Sequence, residues 1–158
     1  MIKEALERIQ RTKEENLHYL DLRGLGLEEI PNEILEVPWI GALSLSDNKI
    51  SNINLLSKMT NIHKLALTNN NIEDISVLES LEKLRFIFLA ENNIKDISKI
   101  KGQTRLKKLV LHNNEINILP DLSAFSLLAY LDIMDNPLIT PTVKEIQVLL
   151  PSLKIYKY

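Results

Sequence analysis

An aliphatic residue returns at Leu20, Leu43, Leu65, Ile87, Leu109, Leu131 and Leu153; the first interval is 23 residues and the other five are 22. A period held over almost the whole chain excludes most closed globular folds, because each segment must form the same unit and stack on the next. Such a stack grows in one dimension. It presents a long open surface rather than an enclosed catalytic pocket, and that already narrows the function class.

The repeats share one frame. Counting the first aliphatic as position one, aliphatics stand at one, four, six and eleven, with Asn at nine. Repeat two runs Ile40, Leu43, Leu45, Asn48, Ile50, and the same spacing recurs from Ile62, Leu84, Leu106 and Leu128. Repeat one has Leu17, Leu20, Leu22 and Leu27, but Leu25 replaces the Asn; Gly24 and Gly26 beside it predict a looser terminal turn. Leu150, Leu153 and Ile155 open a seventh rung. Aliphatics at four and six alternate with polar or variable residues, as a short half-buried strand requires. Ile72, Ile75, Leu78 and Leu81 recur at spacing three, which predicts a 3₁₀-like return. Burying one Leu or Ile contributes roughly 1.5–3 kcal/mol, and here the next rung provides the cover. The Asn column has its own reason: an amide supplies both donor and acceptor where inward-turning backbone is buried.

This frame resembles the leucine-rich-repeat family over residues 17–156. The 22-residue length, with Ile at fourteen and Leu-like residues at seventeen and twenty, is similar to the protein-phosphatase-regulator and internalin subtype; "NNIEDISVLESL" and "NNIKDISKI" carry that form. The resemblance implies a right-handed α/β solenoid shaped as a horseshoe, with parallel strands on the concave face and short 3₁₀ or turn segments on the convex face. The segment "ALERIQRTKEENLHYLDLRGLGLEEIP" is similar to the start of bacterial leucine-rich-repeat proteins, some of which carry GTPase domains. No Gly-rich phosphate loop followed by Lys occurs here, so that activity is not carried over.

The 158 residues are read as one domain: a capping helix over 1–16, six repeats over 17–138, and a C-terminal cap with a partial seventh rung over 139–158. Both ends of a solenoid need lids, since an open rung exposes apolar side chains and unpaired strand groups. Ile2, Leu6 and Ile9, widened by Ala5, form the apolar face of an amphipathic helix over 2–15. At the other end Thr140 is expected to cap a helix with Pro141 at its first position. Val143, Ile146, Val148, Leu149 and Leu150 supply its apolar side and Pro151 stops it. "NP" at 136–137 and "LLPSL" at 149–153 resemble the family's C-terminal cap, without its aromatic-basic pair. Lys154 and Lys157 discourage edge addition. The chain has no cysteine and a net charge of −2. No disulfide or thiol chemistry is available, and no apolar segment reaches membrane-spanning length. The expected location is cytoplasmic, with secretion by a route needing no signal peptide as the alternative.

Positions three, five and seven face away from the aliphatic interior, so their chemistry is the best functional signal. The candidate partner-binding residues are Tyr19, Asp21, Arg23, Lys64, Ala66, Phe86, Phe88, Ala90, Lys108, Val110, His112, Tyr130, Asp132 and Met134. Rung four is unusual: Phe86 and Phe88, two of only three phenylalanines, both point outward, because a one-residue slip would expose Ile87 and Leu89 instead. An apolar centre rimmed by Lys64 and Lys108 is the layout of a protein-binding hot spot. The bland alternative is that the rings pack on each other and on neighbouring stems without a ligand. The expected function is a non-catalytic module binding a protein or peptide on the concave face. A nucleic-acid surface, with the rings stacking bases and the lysines on phosphates, and a purely structural scaffold are the alternatives. Asp21, Asp132 and the net charge weigh against the first.

Two charge runs are read as solvated faces or as surfaces for lateral docking or weak self-association of an otherwise monomeric chain. Lys99, Lys101, Arg105, Lys107 and Lys108 are basic; Glu28, Glu29, Glu33 and Glu36 are acidic. Gly102 and Gln103 replace the usual aliphatic packing, which predicts a bulged return. His18, His63 and His112 are expected not to converge, and no carboxylate pair completes a metal site. Asp21 and Asp132 share a column five rungs apart, too far for the carboxylate pairing enzymes use. Neither catalysis, cofactor nor metal is expected.

Overall fold

The computed structural model describes residues 2–139, 146, 148, 150 and 153–155. Helix α1, Ile2–Glu14, precedes seven strands: β1 Tyr19–Asp21, β2 Ala42–Ser44, β3 Lys64–Ala66, β4 Phe86–Phe88, β5 Lys108–Val110, β6 Tyr130–Asp132 and β7 Lys154–Ile155. They form one sheet in sequence order, each parallel to the next. Register is constant as far as β6, where Tyr19 lies beside Ala42, then Lys64, Phe86, Lys108 and Tyr130; at β7 it is offset by two residues from the expected frame, so that Leu131 lies beside Ile155 rather than Leu153. The strands are short because only positions three to five run extended before the chain turns inward. The returns include 3₁₀ segments at Asn32–Glu36, Asn54–Lys58, Ser76–Ser80 and Ser98–Gly102.

Between strands and returns lies one continuous aliphatic core. Leu43, Leu65, Ile87, Leu109 and Leu131, with the position-six residues below them, are all buried. The Asn ladder works as its chemistry requires. Asn92 Nδ2 donates to Leu67 O, Leu89 O and Ala90 O at 3.0–3.1 Å, and its Oδ1 accepts from Ile72 N at 3.0 Å. Each amide thus ties its own turn to the rung before it. In repeat one, Leu25 and Leu27 both donate to Asn48 Oδ1, so the terminal turn is served by the following rung's Asn.

A column not visible as a pattern in the sequence accompanies the ladder. Position eight is left-handed in every full repeat: Gly24, Asp47, Asn69, Glu91, Asn113 and Asp135 have φ between 53° and 67°. Gly, Asn and Asp adopt this region most readily, which leaves Glu91 as the ill-suited member.

Three expectations are corrected. The buried stripe of α1 is Ala5, Ile9 and Thr12; Leu6 is half-buried and Ile2 is 55% exposed. The helix lies close over the first rung, where a small Ala fits. Arg8 Nη1 donates to Asp21 O at 2.9 Å across that contact. Asn16, at φ 51°, ends the helix, and Leu17 N donates back to Thr12 O, a Schellman-type closure. The return at Gly102–Gln103 does not bulge. It forms the same 3₁₀ segment as its neighbours, because Gln103 fills the column of Met59 and Leu81 with its stem and donates from Nε2 to Leu78 O at 2.6 Å. Finally, Ala90, Val110 and Asp132 are not open to a partner: they are 1%, 8% and 8% exposed.

At the C-terminal end, Thr140, Pro141, Val143, Leu149, Pro151 and Lys157 lie outside the described residues. Ile146, Leu150 and Leu153 are buried and Val148 is exposed. Among the described residues no helix is long and apolar enough to cross a membrane.

Candidate functional site

The open face of the sheet carries positions three, five and seven, and its geometry divides into three parts. Phe88 is at the centre. Ile87 and Leu89 are fully buried on either side of it in sequence, while Phe86 and Phe88 are half-buried on the open face. Lys64 Nζ stands 6.0 Å and Lys108 Nζ 5.4 Å from the Phe88 ring centroid. Lys108 also lies 4.1 Å from the Tyr130 ring, so one ammonium bridges two aromatic rings. Cation–π attraction orients these cations over the rings. The third phenylalanine, Phe125, is fully buried in the core.

Toward the N-terminal end Phe88 forms the wall of a hollow of about 620 Å³. Its floor is made of small side chains: Ala42, Ser44, Ser46, Ala66 and Thr68. Tyr19, Asp21 and Arg23 close the far side. Asp21 and Arg23 pair at 2.7 Å. The guanidinium donates to both carboxylate oxygens and holds the Asp21 carboxyl below the usual carboxylate range, against a smaller opposing effect of burial. The hollow exists because the column that holds Asp21 in rung one and Phe88 in rung four holds only Ser44 and Ala66 in rungs two and three. Phe86 does not line it. The hollow therefore lies to one side of the Phe86/Phe88 pair rather than over it.

Toward the C-terminal end His112 Nδ1 lies 2.9 Å from Asp132 Oδ2. A carboxylate accepts, so the ring proton is on Nδ1. Asp132 is 8% exposed, and its other oxygen accepts from Met134 N at 3.3 Å. This pair had no sequence signal as a pair, since the residues are twenty positions apart; position seven of one rung meets position five of the next only in the stack. The floor of Ser44, Ser46 and Thr68 likewise carries no signal in the sequence, because small polar residues at positions five and seven gain meaning only when the rungs stack. His18 and His63 are exposed, and among the described residues no group of three or more His, Cys, Asp or Glu is placed to hold a metal.

A parallel sheet one strand wide per turn, with an Asn ladder and 3₁₀ returns, defines a class of solenoid, and comparisons agree on which. The family model for leucine-rich repeats (two copies) matches residues 42–80 and 60–102. An internalin (InlF) from Listeria monocytogenes superimposes with a TM-score of 0.81 at 28% identity, covering 89% of this chain and 41% of that one. A leucine-rich-repeat protein of Leptospira interrogans gives 0.74 at 27%, covering 82% and 34%. Internalin C2 of Listeria monocytogenes, at 22% identity and a TM-score of 0.75 over 84% and 57%, shares the fold. The chain spans less than two thirds of each of these structures. No curated protein matches it. Residues 42–102 match the leucine-rich-repeat family model, and the chain is similar in fold and repeat form to internalin.

Proposed function

We propose that the chain is a non-catalytic interaction module that takes a protein or peptide partner on its concave face, with Phe88 as the anchor. The observation that carries this reading is a half-buried aromatic ring on the open face, flanked by two lysines, beside a hollow floored with Ala, Ser and Thr. Folding does not require a Phe at that position: the same column holds Ser44, Ala66 and Val110 in neighbouring rungs. A ring presented this way offers apolar area at low entropy cost to an incoming side chain. The adjacent hollow has room for that side chain and its backbone. Among the predicted contacts, Tyr19, Arg23 and Lys64 are exposed, and Phe86, Lys108, Tyr130 and Met134 are half-buried. Ala66 belongs to the floor. Ala90, Val110 and Asp132 support the surface from beneath.

The test is a titration of the partner recovered by affinity purification against wild type and the Phe86→Ala/Phe88→Ala variant. Affinity is expected to fall at least about tenfold with the circular dichroism spectrum unchanged. Equal affinity would remove the concave face from the interaction.

A further inference from the structure

The stack sorts charge by edge in a way the linear sequence hides. At the N-terminal ends of strands β3 to β5 stand Lys64, Lys83, Arg85, Arg105, Lys107 and Lys108. Arg85 and Lys107 are direct neighbours, since Lys107 N donates to Arg85 O at 2.8 Å. All six side chains are exposed except the half-buried Lys108. At the other ends of the strands, Asp47, Glu73, Asp74, Glu91, Asp96 and Asp135 dominate.

Pairing separates these cations from those of the N-terminal helix, although Lys49, Lys58, Lys99 and Lys101 likewise form no ion pair among the described residues. On α1, Arg8 pairs with Glu4, Arg11 with Glu15 and Lys13 with Glu36; Lys95 on the acidic edge pairs with Glu115. None of the six has a carboxylate partner among the described residues. Glu79 and Glu82, close in sequence, form no ion pair with them. Lys83 donates to Asn61 Oδ1 instead. Like charges stacked on adjacent rungs, about 4.8 Å apart, repel one another, and among the described residues Arg85, Arg105 and Lys107 make no side-chain hydrogen bond or ring contact that offsets it.

We infer that this edge, continuous with the Phe88 surface through Lys64 and Lys108, selects an acidic protein segment whose carboxylates flank an apolar side chain. The apolar residue seats beside Phe88, and the carboxylates meet the unpaired cations. This rests on the concave-face reading and adds the chemistry of the partner. A peptide fits better than a nucleic acid. The cations span only three rungs, roughly 10 Å, and the opposite edge would repel a long polyanion laid across the face.

The experiment selects a display library of random dodecapeptides on the wild-type chain, then titrates enriched peptides against variants. Enriched peptides should carry Asp or Glu beside an aromatic or aliphatic residue. Binding should weaken at least about tenfold in Arg85→Glu/Lys107→Glu and on raising salt from about 50 to 300 mM, while Lys49→Glu on the other edge leaves it within about twofold. Arg85→Ala/Lys107→Ala, with no side-chain hydrogen bond to lose, guards against misfolding of the reversal variant and should weaken binding in the same direction. Enrichment of neutral or basic peptides that Phe88→Ala abolishes would overturn this inference and leave the concave module standing. Acidic peptides insensitive to Phe88→Ala would instead sink the Phe88-centred reading. Tighter binding of a single-stranded oligothymidylate than of any acidic peptide, or salt-dependent dimerisation lost in the reversal variant, would put a nucleic acid or a second copy on this edge and also overturn it.

Discussion

Asn92 and Gln103 are both buried amides in the solenoid, and they have opposite worth. Every hydrogen-bonding atom of Asn92 that the turn needs is engaged, and its removal would leave Ile72 N without its acceptor and three carbonyls with one donor fewer. Asn92→Ala should therefore cost about 3 kcal/mol, read as a shifted urea midpoint with an unchanged slope. Gln103 makes one bond, to a Leu78 carbonyl that Leu81 N already satisfies at 3.0 Å. Its Oε1 is buried with no partner. Met stands in the same column at position 59. Gln103→Met should thus stabilise by about 1 kcal/mol, and a destabilised variant would mean that the amide oxygen is satisfied after all. The Asn column was legible in the sequence because its spacing never varies. The role of Gln103 was not, because a polar residue in an aliphatic column looks like a defect until the Leu78 carbonyl is placed beside it.

The 3₁₀ returns add a titrating element. Asp74 Oδ1 accepts from Ser76 N at 2.8 Å and Asp96 Oδ1 from Ser98 N at 2.7 Å. These backbone bonds, reinforced by the Ser hydroxyls, hold both carboxyls below the usual carboxylate range. A folded pKa below the unfolded value of about 3.9 means the stabilisation is complete above that pH and is lost as pH falls through the folded value. Asn52 makes the same bond to Asn54 N without a charge. The Asp74→Asn/Asp96→Asn variant should accordingly keep neutral-pH stability within about 1 kcal/mol and lose less than wild type between pH 5 and pH 3. Parallel acid losses in both proteins would dismiss the two carboxyls as the source. The strands themselves were read correctly from alternation. Their length of three residues was not, because only the hydrogen-bonded register shows where extended backbone gives way to the left-handed residue at position eight.

For the molecule as a whole, stability is a chain of neighbour contacts rather than one central core. Helix α1 covers the first rung through Ala5 and Ile9, and Trp39 Nε1 donates to Leu17 O at 3.0 Å just behind it. Ile9→Ala should cost about 3 kcal/mol and speed hydrogen exchange most in β1 and β2, fading toward β5. Uniform acceleration along the solenoid would show that the rungs unfold as one unit.

Sequence alone determined the period, the inward face of each strand and hence the outward placement of Phe86 and Phe88, because apolar burial at fixed spacing leaves one consistent register. Only the tertiary structure decided which outward residues are reachable, that Ala90, Val110 and Asp132 are covered, that His112 meets Asp132, and that cations from three repeats share one edge. Those relations join residues about twenty positions apart through side-chain volume and direction, quantities that a one-dimensional pattern does not contain.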